Sequence, residues 1–85
     1  MGGLGVNIMK VTVLFFGVLT EVTGMALKVY EDVKTLEHLK MRVTDDFPET
    51  FHYSFRIALN NELTDEDLPL TDGDEVAFLP PFAGG

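Results

Sequence analysis

An α+β domain with one main helix packed on one face of a sheet is the architecture this sequence predicts, and three observations predict it. Runs rich in β-branched and aromatic residues recur at 10–16, 25–30, 54–59 and 75–79, each with Gly, Asn, Asp or Pro within two residues of its end. A single stretch places Leu36, Leu39, Val43 and Phe47 three and four apart, the period of one helical stripe. At 85 residues and 46% apolar content, the chain holds one hydrophobic core and no second domain.

The first strand, KVTVLFF, alternates Val11, Val13 and Phe15 with Thr12, Leu14 and Phe16. Both of its faces are largely apolar, which predicts a central strand covered on at least one side. After Gly17, Leu19 and Val22 lie three apart over 18–23, enough for one or two helical turns that Gly24 ends. MALKVY reads as the second strand, with Met25, Leu27 and Val29 on one side. Thr35 caps a helix from Leu36, Glu37 in its first turn suits the positive end of the dipole, and Pro48 stops it after a fraying Asp46 and Phe47. The third strand alternates Phe55, Ile57 and Leu59 with Ser54, Arg56 and Ala58. Asn60 and Asn61 tolerate positive φ, so the chain can turn back there. TDEDLPL reads as a solvated acidic connector and TDGDE as a turn, before EVAFL forms a last strand that Pro80 and Pro81 stop. The sheet thus has four to five strands. Residues 1–8 read as a flexible leader, 9–79 as the folded domain and 80–85 as an extended tail.

Charge and composition exclude several functions. The net charge is −8, and ten acids against Arg56 alone give the span 45–75 a charge of −9. Such a surface repels nucleic-acid phosphates and anionic lipids and suits a basic partner, with an attraction that salt weakens. No apolar run approaches the ~20 residues a bilayer span needs, and the N-terminus lacks a signal-peptide pattern, so the expected location is the cytoplasm. With no cysteine there are neither disulfides nor thiolate metal sites. His38 and His52 lack metal-ligand spacing, and Asp65-Glu66-Asp67 lacks the calcium-loop pattern, so no metal site is expected. Gly2-Gly3-Leu4-Gly5 does not join a strand to a helix bearing a following lysine, and it fails as a phosphate loop. The chain has no machinery to bind ATP or another cofactor of its own.

The most informative segment is the terminal PPFAGG. A fold has little reason to follow a buried strand with two prolines and finish on two glycines, the residue most costly to order. Pro80 and Pro81 hold the exit extended, and Gly84 and Gly85, without side chains, can thread a narrow channel. The chemistry would then reside in the main-chain carboxylate of Gly85. A frayed terminus without a role is the alternative reading of the same residues.

KVTVLFFG, LNNEL and LTDGDEVAFLPPFAGG resemble the MoaD type of molybdopterin synthase small subunit, within the ubiquitin-like MoaD and ThiS sulfur carriers. The similarity runs from Met9 to Gly85, and DGDEVAFLPP-x-AGG is its most specific part. It implies a β-grasp fold, and a chain that is not catalytic alone but serves as the sulfur donor of a two-subunit sulfurtransferase. It implies that Gly85 is adenylated by a MoeB-type enzyme using ATP and becomes a thiocarboxylate. Sulfur would then pass, within a MoaE-type large subunit, to cyclic pyranopterin monophosphate in molybdenum cofactor biosynthesis. Gly84 matches the second narrow-channel residue, and Phe78, Leu79, Pro80, Pro81, Phe82 and Ala83 are the expected partner contacts. For Phe78 the core is the stronger competing reading, since one of each alternating pair on a last strand faces inward. Phe82 stands where the family more often has a modest aliphatic residue, implying a slightly wider partner channel. A ubiquitin-like modifier conjugated through Gly85, a sulfur carrier for thiamine or tRNA thiolation, and a plain interaction domain are the competing functions. Strand edges and an apolar patch around Phe78 to Phe82 also predict a homodimer when the large subunit is absent.

Overall fold

The structure is a computed structural model and describes residues 8–81. In chain order it forms β1 (Lys10–Phe15), α1 (Val18–Thr23), β2 (Leu27–Glu31), α2 (Leu36–Asp46), a 3₁₀ turn (Pro48–His52), β3 (Arg56–Leu59), β4 (Glu62–Thr64) and β5 (Glu75–Leu79). The strands make one sheet in the order β2-β1-β5-β3-β4. β1 and β5 run parallel at its centre, and the other neighbours are antiparallel. A mixed sheet gripping one long helix is the β-grasp arrangement expected from the resemblance.

The alternation in β1 translates directly into packing. Val11, Val13 and Phe15 are buried with Val76 and Phe78 of β5, beneath Leu36, Leu39 and Val43 of α2. Phe15 lies edge-on to both Phe47 and Phe78, with centroids 5.9 and 5.8 Å away, and Phe55 stacks on Phe78 at 4.9 Å. These separations fall in the range where aromatic pairs add to the energy of burial alone. Phe47 caps α2 and packs half-buried against the core, so the helix ends within a residue of its expected limit.

In β2 the buried side chain is Tyr30, while Leu27 and Val29 are 51% and 46% exposed. Leu27 and Val29 do share a face, but it is the one turned away from the core. Tyr30 reaches past the sheet to donate its hydroxyl to Asp46 Oδ2 at 2.8 Å, and Lys28 and Arg42 lie over its ring. Burial first, then the carboxylate partner, raises its pKa further above the ordinary tyrosine value, so the hydroxyl remains a donor.

Asn60 and Asn61 both adopt positive φ, at 49° and 73°, and turn the chain into β4, which pairs with β3. The acidic connector after β4 is not merely solvated. The Leu36 N–H donates to Leu68 O and the Leu70 N–H to Lys34 O, while Asp67 Oδ1 accepts the Glu37 N–H at 2.9 Å beside the Thr35 cap. Asp67 therefore satisfies a free amide at the start of α2 that Thr35 leaves unpaired. Asp65 pairs with Arg56 at 3.3 Å.

Asp74 ties two turns together. Its Oδ1 accepts the Asn60 side-chain amide at 3.0 Å, and its Oδ2 accepts the Thr71 N–H at 2.8 Å. Partial burial acts to raise its pKa, but the bonds from Thr71 and Asn60 together prevail and hold it below the ordinary carboxylate value. A depressed carboxylate pKa contributes stability that is present above the unfolded value and is lost as pH falls through the folded one. The melting temperature of the protein is therefore expected to fall on acidification below the ordinary aspartate range, and Asp74→Asn to flatten that part of the profile. An unchanged profile in the variant would remove Asp74 from the acid transition.

Candidate functional site

The central strand β5 ends at Leu79, and Pro80 and Pro81 follow at once. Neither proline can donate to a ladder, so the chain leaves the sheet there. Pro80 is half-buried and rests against Gly17, in the corner between β1 and α1. A methyl group at position 17 would stand 2.9 Å from Cγ of Pro80, closer than real contacts allow. Gly17 also has φ 57° and ψ −136°, a conformation that side chains disfavour. The corner thus needs glycine on two counts, and it seats the first residue of the exit. Exposed Phe16 and Val18 flank it.

A second feature adjoins the exit. Across the face of the sheet turned away from α2, the strand registers place Leu27, Leu14, Ala77, Ala58 and Leu63 side by side, one from each strand. Leu79 lies two residues beyond Ala77 on the same face of β5. This is an apolar band running the width of the sheet, with Leu27 and Leu63 exposed at its two ends. Its position explains why both faces of β1 are apolar: one feeds the core and the other the band.

Phe78 corrects an expectation. It is 0% exposed and surrounded by Phe15, Phe55 and Val76, so its side chain belongs to the core and offers no contact surface. The patch expected around Phe78 to Phe82 accordingly loses Phe78, and its described remainder, Leu79 to Pro81, adjoins the band. Leu79 and Pro80 are half-buried and Pro81 is exposed, positions from which contact is available. Phe82, Ala83, Gly84 and Gly85 lie outside the described residues, as does the leader apart from an exposed Ile8. Gly17 and the band were missed by sequence reasoning. The signal for the band was the second apolar face of β1, together with Leu27 and Val29.

Among the described residues no group of His, Cys, Asp and Glu is arranged to hold a metal ion, and no helix is long and apolar enough to cross a membrane. His38 is occupied locally, its Nδ1 accepting the Lys34 N–H at 3.2 Å. The described geometry is that of a β-grasp domain whose central strand leaves the sheet at Pro80, beside an apolar sheet face.

Comparison with known proteins places it more narrowly. The sequence profile of the ThiS family matches residues 13–85, and the chain belongs to that family. The molybdopterin synthase sulfur carrier subunit of Escherichia coli (strain K12) is 36% identical over 83 residues, covering 88% of this chain and 99% of that protein. Solved structures are similar as well, two of them as follows. The complex of subunits 1 and 2 of the molybdopterin-converting factor from Helicobacter pylori 26695 matches at TM-score 0.69 and 31% identity, over 91% of this chain and 100% of that one. The small archaeal modifier protein 1 of Methanosarcina acetivorans matches at TM-score 0.74 and 25% identity, over 93% and 99% of the two chains.

Proposed function

We propose that this chain is the sulfur-carrying small subunit of a molybdopterin synthase, acting in the cytoplasm and not catalytic on its own. The observation that carries the reading is the exit: the central strand passes into Pro80, seated on Gly17, and Pro81, with two residues between them and a Gly-Gly pair. The similarity to a molybdopterin synthase sulfur carrier subunit over nearly the whole chain supports the same role.

A carboxylate is a poor electrophile, because its charge and resonance oppose attack. In the proposed sequence an oxygen of the Gly85 carboxylate attacks the α-phosphorus of ATP in a MoeB-type activating enzyme, and pyrophosphate leaves. Hydrosulfide then attacks the acyl carbon, the C–O bond to AMP breaks, and loss of the S–H proton leaves a terminal thiocarboxylate, ionised near neutral pH and more nucleophilic than the carboxylate. The tail enters a MoaE-type large subunit, where that sulfur passes to cyclic pyranopterin monophosphate. Gly84 and Gly85 contribute narrowness, Phe82 and Ala83 the approach, and Pro80 and Pro81 the stiffness. The apolar band docks the domain body on the larger partners. Uncovered in the isolated chain, it is also the surface for self-association.

Mass spectrometry of the intact protein isolated from its native host tests the reading. Sulfur in place of one terminal oxygen of Gly85 is the expected result. The likeness to a small archaeal modifier protein makes protein conjugation the second reading. Gly-Gly remnants of this chain on lysines of other proteins, with no thiocarboxylate, would replace carriage by conjugation.

A further inference from the structure

On the side of the domain that bears α2, away from the apolar band, a groove runs between the helix and the segment leading into β3. Its wider end is a depression of about 400 Å³ with Met41 and Asp45 of α2 on one wall and Phe51, Tyr53 and Phe55 on the other. A smaller depression of about 90 Å³ continues it past Glu37, Lys40 and Phe55, which line both, to Asp65 and Glu66. Two large apolar side chains stand open at the wide end, Phe51 at 78% and Met41 at 63% exposure. The stripe that buries Leu36, Leu39 and Val43 does not need them, and neither does the core.

The charges on the walls say what chemistry fits. Lys40 is engaged by Glu37 at 2.9 Å and Arg56 by Asp65 at 3.3 Å, so both cations of the groove are taken. Asp45 at the aromatic end and Glu66 at the other form no ion pair among the described residues. The wide end of the groove is therefore mainly apolar and the narrow end mainly polar, with uncompensated negative charge at each, within the span whose charge is −9. An acidic or polar occupant would be repelled or would leave the aromatic end wet.

We propose that this groove is a second docking site, and that it takes a segment of a partner protein in which one large apolar side chain is flanked by arginine or lysine. The apolar side chain settles among Met41, Phe51 and Tyr53, and the cations face Asp45 and Glu66. A partner held there leaves the band and the tail free, so the domain can stay bound to one protein while its terminus is presented to another. The inference does not depend on which chemistry Gly85 carries.

The test uses the full, ¹⁵N-labelled chain and two synthetic peptides of equal positive charge, one with leucine between arginines and the other with serine in its place. The leucine peptide is expected to shift the amides of Met41, Asp45, Phe51 and Tyr53 saturably. Phe51→Ala, at an exposed position that leaves folding intact, is expected to weaken it about tenfold, and Asp45→Asn to reduce its salt dependence. Removing Gly84 and Gly85 is expected to leave the affinity unchanged. Equal binding of the serine peptide, shifts confined to Leu14, Ala58 and Ala77, an unaffected Phe51→Ala variant, or absence of saturable binding would each overturn the proposal.

Discussion

A chain shortened by Gly84 and Gly85 is expected to melt at the same temperature as the full protein and to lose sulfur delivery entirely. The fold is expected to be indifferent to the loss because β5 ends at Leu79 and, among the described residues, the core cluster reaches no further than Phe78. The chemistry is not indifferent. An extended residue spans about 3.3–3.6 Å, so the new carboxylate on Ala83 stops roughly 7 Å short of where Gly85 would reach. Reacting atoms need to approach within about 3–3.5 Å, and a misplacement of even about 1 Å can cost on the order of a hundredfold. Both activation and transfer should fail in the same variant, since both need the tip inside a partner. The measurement is restoration of molybdenum cofactor synthesis in a deficient strain, with circular dichroism to verify folding. A shortened chain that restores synthesis would end the carrier reading.

Phe78→Ala is expected to have the opposite profile, failing through the fold and not through the tip. Phe78 is fully buried and meets Phe15 and Phe55 ring to ring. Truncating a buried phenylalanine costs about 3–5 kcal/mol in transfer and cavity energy. A core of this size rarely supplies more than about 3–5 kcal/mol in total, so the variant is expected to be largely unfolded at 37 °C. Phe78→Leu keeps most of the volume and is expected to retain a cooperative transition at lower temperature. Chemical denaturation of the three proteins gives the comparison. A Phe78→Ala protein of native stability that binds its partner poorly would return Phe78 to the contact surface.

The two variants mark where the sequence is legible and where it is not. Strand and helix periods, the Thr35 cap, the Asn60-Asn61 turn and the stop at Pro80 all depend on residues close together in the chain, and each is found where local physics puts it. The outer face of β2 was not legible, because Leu27 and Val29 look apolar whichever side they face. Only the pairing of Val11 with Tyr30, and of Leu14 with Leu27, decides it. The role of Asp67 was hidden for the same reason: thirty residues separate it from the Glu37 amide that it caps. Gly17 carries no sign of its partner, since its contact with Pro80 joins opposite ends of the domain.

By itself, the sequence determined a small acidic α+β domain without cysteine, whose last strand is stopped by two prolines ahead of a Gly-Gly pair. Those properties follow from composition and short-range patterns, which no folding event alters. Tertiary structure alone decided which apolar residues are interior and which form the band, moving Phe78 inward and Leu27 outward. It also brought Gly17 beneath Pro80 and set Met41 opposite Phe51. The physical reason is that alternation in a strand specifies two faces but not which of them is buried, a choice made only when the strands find their neighbours and one helix covers one side.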